Sequence, residues 1–141
     1  MKIIWLEDEP ETIMVIKNKI SEHCIDITVC QSFSKFSYEL EQLNSNSNYL
    51  IILDIRIVFY IELEVSCFGK NFNVNKELEA GLEYYLKCLK DKFDNNKIIF
   101  LSSKTAKNTQ ADVEKYNISP SQVIAKEDIS ELIERVKNVK L

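Results

Sequence analysis

The chain has 141 residues, 45% of them hydrophobic and 28% charged, with a formal net charge of -4 at pH 7. That length suits one compact domain around a single core and leaves no room for a second folded unit, and the composition is that of an ordered globular protein. The acidic balance argues against unaided nucleic-acid binding, which rests on a basic face.

No apolar run approaches the roughly 20 residues that span a bilayer, so a membrane protein is not expected and a cytoplasmic one is. Cys24, Cys30, Cys67 and Cys88 show no paired spacing of the kind zinc sites use. They are expected as free, mostly buried thiols. His23 follows a helical pattern beside Cys24. Adjacent side chains seldom converge on one ion, so a helix-end histidine is the better reading.

In chain order, Lys2 to Leu6 is a short Ile-rich run that stops at Glu7, Asp8 and Glu9, as a buried parallel strand does when it delivers charges at its carboxyl end. Pro10 suits the first turn of a helix, and Ile13, Ile16 and Ile20 recur at helical spacing up to about Glu22. Ile25 to Cys30 alternates as a half-buried strand, and Phe33 to Leu43 carries Phe36, Leu40 and Leu43 at helical offsets. The tract from Asn44 to Asn48 reads as a loop.

Tyr49 to Leu53 is almost wholly apolar, predicting a central strand that ends in Asp54. Leu78 to Phe93 predicts a helix with Leu78, Leu82, Tyr85, Leu86 and Leu89 on one face, closed by Asp94, Asn95 and Asn96. Lys97 to Leu101 is a fourth strand ending in Ser102 and Ser103. Thr109 to Tyr116 is a short helix, Gln122 to Ala125 a fifth strand ending in Lys126, and Asp128 opens a last helix through Val139. Five strands alternating with five helices imply an α/β, doubly wound parallel sheet with helices on both faces, its ligand site outside the carboxyl ends of the strands.

Those ends supply Glu7 and Asp8, then Asp54, Ser102 and Lys126. Carboxylates gathered at one edge repel by about 4 kcal/mol per pair at roughly 4 Å and an effective dielectric of about 20. A cation must stabilise them. Mg2+ suits hard oxygen ligands and commonly binds one or two carboxylates with phosphate oxygens, and Lys126 can neutralise the remainder and grip a phosphoryl oxygen. Asp54 is then the nucleophile, Ser102 offers a hydroxyl to the phosphoryl group, and the small Ser103 leaves room beside it. Glu9 and Glu11 read as solvated strand-end charges.

The stretches WLEDEP, LIILDIR, IIFLSS and VIAKE, with AGLEYYLKCLK, together resemble the receiver domains of two-component response regulators across essentially the whole chain. The resemblance implies a single receiver domain over residues 1–141 with strand order 2-1-3-4-5 and a phosphoacceptor at Asp54. It also implies Mg2+ held by Glu7, Asp8, Asp54 and the backbone carbonyl of Arg56, and supporting roles for Ser102 and Lys126. Its expected partners are a histidine kinase or phosphotransfer protein and an unknown downstream protein, with no direct nucleic-acid or membrane contact. No enzymatic turnover of its own is expected.

Val123 stands where the family commonly has an aromatic residue, and Glu127 where it has proline. An insertion at about 56–80 lengthens the connection after the phosphoacceptor strand. Ile57 to Val65 within it reads as an extended strand or a hairpin arm, and the insertion is expected to pack on its own domain, as a surface connection that folding can spare, rather than to present a partner-binding edge. The alternative is a phosphorylation-independent pseudo-receiver acting as a protein-interaction module. A hydrolase on the same scaffold would lack an acid or base, because His23 lies far from the site in the strand order.

Overall fold

Apolar runs too short for helices and bounded by charges form the centre of the molecule. In the computed structural model, residues 1–22, 26–43, 48–56, 64–74, 80–102 and 114–140 are described. The strands are β1 (Lys2–Leu6), β2 (Asp26–Cys30), β3 (Tyr49–Asp54), β4 (Glu64–Cys67), β5 (Lys70–Asn73), β6 (Ile98–Ser102) and β7 (Val123–Ala125). Five of them form one sheet in the order β2-β1-β3-β6-β7, all pairs parallel. With the β4-β5 hairpin set aside, this is the order 2-1-3-4-5.

The period of two along a strand sends alternate residues to opposite faces. Ile3 and Trp5 of β1, with Leu50 and Ile52 of β3, meet Ile16 and Ile20 of helix α1 (Met14–Ser21). Leu132 and Val136 of the C-terminal helix, α4 (Ile129–Lys140), complete that layer. Ile4, Leu6, Ile51 and Leu53 face the other way, against Phe33, Phe36 and Leu40 of α2 (Phe33–Glu41). Ser32 caps α2, its hydroxyl accepting from Lys35 N at 3.2 Å. β2 is an edge strand, so its burial does not alternate as its sequence does: Asp26 is exposed, the middle is half-buried and Cys30 is buried.

Within the expected helix over Leu78 to Phe93, the described helical turns change pitch and end at Leu89. α3 (Ala80–Tyr84) passes into a wider turn over Tyr85–Leu89, closed by a bond from Lys90 N to Tyr85 O at 2.9 Å. One extra residue in that turn rotates the side chains beyond it about the helix axis. Cys88 and Leu89 therefore face inward, whereas Leu86, expected on the apolar face, is 43% exposed.

The inserted segment contributes an antiparallel hairpin with Cys67 opposite Lys70. Its two-residue turn, Phe68-Gly69, has φ of +50° and +78°, the left-handed pair that matches the twist of a hairpin. β4 alternates, with Val65 and Cys67 buried and Glu64 and Ser66 exposed. Its buried face packs on α2, and Val65, Cys67 and Val74 join the core. Residues 64–74 thus pack on their own domain, and the expectation of a mere surface connection is corrected for Val65, Cys67 and Val74, which are core residues, with Phe68 and Phe72 half-buried against them.

Cys67 and Cys88 are joined by a disulfide, their Cα atoms 6.5 Å apart. This corrects the expectation of free thiols for that pair; Cys30 is a free, buried thiol. Two cysteines separated by 21 residues carry no spacing signal, and only the packing of hairpin on helix brings them together. His23, Cys24, Leu78, Ser103, residues 57–63 of the expected hairpin arm, residues 44–47 of the expected loop and residues 109–113 of the expected short helix lie outside the described residues.

Candidate functional site

Parallel pairing aligns the carboxyl ends of the central strands, and the ladders run on for one further bond. Glu7 N donates to Cys30 O at 2.9 Å, Ile55 N to Leu101 O at 3.0 Å and Lys126 N to Ser102 O at 2.9 Å. Each site residue therefore sits at or just past the last rung of its strand, where its backbone is fixed and its side chain faces the sheet edge.

Glu7, Asp8 and Asp54 meet there, with one carboxylate oxygen from each lying within 4.8 Å of the others. Lys126 Nζ spans two of them, 2.7 Å from Asp54 Oδ2 and 3.1 Å from Glu7 Oε1. Glu7 and Asp54 are buried, and Asp8 is half-buried. Thr12, in the turn that precedes α1, donates its hydroxyl to the same Glu7 Oε1 at 3.0 Å. Glu7 Oε2 is buried with no hydrogen-bond partner among the described residues. An unpaired buried carboxylate oxygen in a cluster of three carboxylates is a donor set of the kind a hard divalent cation takes.

Burial, and after it the charge of Glu7, push the Asp54 carboxyl up to about 8 despite the ammonium beside it. Lys126 moves the opposite way to what burial alone would do. The hydrogen bond and charge of Asp54, with those of Glu7, outweigh desolvation and hold the ammonium above its usual value. One positive charge thus falls short of balancing this cluster.

Ser102 is buried at the end of β6, next to Leu101, which is paired with Asp54. Arg56, whose carbonyl is expected to join a metal, is exposed and is the second residue past the end of β3. Val123 is half-buried opposite Phe100, and no cis peptide bond occurs among the described residues, including the one that precedes Glu127.

Two residues outside the expected set matter to the geometry. Thr12 orients Glu7, and a strand-end Glu followed five residues later by a turn Thr was the only sign of it. Gly81 brings the start of α3 against β3: its N donates to Ile55 O at 2.9 Å, and a Cβ there would run into the Asp54 carbonyl. A close backbone approach of this kind requires glycine.

The chain has the fold of response-regulator receiver domains. It superposes on the Francisella response regulator 1452 receiver domain with a TM-score of 0.63 at 19% identity, covering 98% of this chain and 94% of that one. For TrrA of Thermotoga maritima, solved in complex with Mg2+ and BeF, the TM-score is 0.60 at 23% identity, covering 98% and 97%. For the BeF3-activated N-terminal receiver domain of Klebsiella pneumoniae RstA it is 0.64 at 18% identity, covering all of both chains. No protein-family profile and no curated protein sequence matches the chain. Among the described residues, no helix is long and apolar enough to cross a membrane.

Proposed function

We propose that the chain is a phosphoacceptor receiver module of a two-component relay, acting in the cytoplasm. Asp54 takes the phosphoryl group from a phosphohistidine of a kinase or phosphotransfer protein. The observation that carries this reading is the convergence of Glu7, Asp8 and Asp54 with Lys126 at the carboxyl edge of the sheet.

Glu7, Asp8 and Asp54, joined by the carbonyl of Arg56, would hold Mg2+, which when bound supplies the positive charge that the cluster lacks. An Asp54 carboxylate oxygen attacks phosphorus, the bond from phosphorus to the donor nitrogen breaks, and its electron pair leaves with the donor. Lys126 can pass from its ion pair with Asp54 to a phosphoryl oxygen, and the Ser102 hydroxyl can donate to another. Signalling then runs through protein contacts, without turnover of a substrate, direct nucleic-acid binding or membrane contact.

The test is the intact mass of the protein after exposure to acetyl phosphate, with and without Mg2+. One added phosphoryl mass, dependent on Mg2+ and abolished by Asp54→Asn, is expected. No added mass under any condition with the fold intact, a cognate kinase also tried, would favour a phosphorylation-independent pseudo-receiver. Val123 and Glu127 are the features that suit that second reading.

A further inference from the structure

The hairpin is held to the domain by its inward side chains, by hydrogen bonds and by one covalent link. Two strands of four residues do not form a stable unit alone in water. Glu64, Ser66, Lys70, Asn71 and Asn73 are exposed, so the hairpin depends on the side chains it turns inward. On that face Tyr84 OH lies 2.7 Å from Ser37 Oγ and donates to Cys67 Sγ at 3.1 Å, while Phe72 packs on the Tyr84 ring with centroids 5.9 Å apart. At the tip, Phe68 N donates to Glu41 Oε1 at 2.8 Å. Lys92 lies over the Phe68 ring, and the covalent tie is the bond from Cys67 of the hairpin to Cys88 of the wide turn that continues α3.

We propose that Cys67 and Cys88 form a reversible thiol–disulfide site, which clamps the inserted hairpin onto α2 and the α3 segment when oxidised and lets it open when reduced. Its two cysteines come from two elements that are otherwise joined by packing and by Lys87, whose Nζ donates to Asn73 O at 3.0 Å and lies over the Phe72 ring. Reduction therefore loosens the hairpin without breaking the central sheet. Both cysteines are buried, Cys67 at 1% exposure and Cys88 at 7%, so a small thiol reaches them through local opening of the hairpin. In a reducing compartment, disulfides are transient and commonly serve sensing. Cys30 does not compete, being buried at the end of β2 with its thiol pushed up to about 11 by burial.

In the oxidising direction, one S–S bond forms between the two Sγ atoms. The thiols give up two protons and two electrons to a small-molecule disulfide, which leaves as two thiols. A dithiol reverses the exchange. Gly81, in the first turn of α3, lies against the Asp54 carbonyl, so the helical segment that leads to Cys88 also touches the acidic edge.

The full chain should be equilibrated without denaturant in mixtures of reduced and oxidised dithiothreitol, quenched by alkylation and mapped by peptide mass. Cys67 and Cys88 are expected to change state together, reversibly, at one midpoint. Hydrogen exchange of residues 64–74 should quicken by about tenfold or more on reduction, while β1 and β3 keep their protection. Cys88→Ser should exchange like the reduced wild type in both buffers. Failure of the pair to interconvert under native conditions overturns the proposal. So does interconversion with unchanged exchange in the hairpin, and both measurements are made on the wild type even if the variant does not fold.

Discussion

Lys126 Nζ lies 2.7 Å from Asp54 Oδ2, and yet Asp54 holds its proton up to about pH 8, because burial and the neighbouring Glu7 outweigh that ion pair. Between its ordinary value of 3.8 and about 8, the folded protein keeps a proton on Asp54 that the unfolded chain has released. The contribution of Asp54 to stability therefore falls as pH rises through that window.

Asp54→Asn removes the penalty and leaves Lys126 to pair with Glu7. A tenfold difference in proton affinity between the folded and unfolded chains is worth about 1.4 kcal/mol, so the metal-free variant should exceed wild type by roughly 2 kcal/mol or more at pH 7.5. The advantage should vanish near pH 4. Urea denaturation of both proteins in chelator across this range checks it, and a variant less stable than wild type at pH 7.5 would mean that the ion pair dominates.

The central sheet was legible in the sequence because its inner strands are short apolar runs with charged ends. The placement of Glu7, Asp8, Asp54, Ser102 and Lys126 at one edge was legible for the same reason, since residues at strand ends of a parallel sheet share it. Other features depended on contacts with no local signature. Cys67 meets Cys88 only because the hairpin folds over α3, and the hairpin itself turns on Phe68-Gly69 rather than the more telling Asn-Gly. Leu86 escapes a periodicity argument because that argument assumes an unbroken helical pitch, whereas the chain widens from Tyr85.

Magnesium should compete with Lys126 for the carboxylates and favour the ionised form of Asp54. Affinity should therefore rise with pH up to about 8 and then level. Trp5 is a fully buried reporter two residues before Glu7 on the same strand. Its fluorescence should change on Mg2+ titration at millimolar levels or below and much less in Asp54→Asn, with calorimetry as the independent measure. Identical responses in both proteins would move the metal away from Asp54.

Gly81→Ala should be far more damaging than Gly69→Ala, although both replace a glycine near the insertion. At position 81 the new Cβ meets the Asp54 carbonyl, a backbone atom that cannot swing aside. At position 69, φ is +78° but nothing lies within 4 Å, so only the backbone conformation is penalised. Expected losses are about 3 kcal/mol or more at Gly81 and roughly 1 kcal/mol at Gly69. Urea midpoints measure both, and equal losses would show that α3 can back away from β3 freely. Magnesium affinity should fall in Gly81→Ala alone, because the displaced backbone is that of Asp54.

Lys126 and Ser102 should act after phosphoryl transfer rather than in the attack. Beryllofluoride with Mg2+ mimics the phosphoryl group on a carboxylate without its hydrolysis, so the gain in thermal midpoint on adding both reports how firmly the product state is gripped. A charge-assisted hydrogen bond contributes about 1.5–3 kcal/mol. Lys126→Ala should therefore lose most of the gain seen in wild type, and Ser102→Ala, which removes a neutral donor, a smaller part. Acetyl phosphate should still add one phosphoryl mass to Lys126→Ala in Mg2+, because Asp54 and the remaining carboxylates are intact. If Lys126→Ala gains as much thermal stability as wild type, the lysine's ion pair with Asp54 serves the resting state only, and the grip on the product must come from elsewhere.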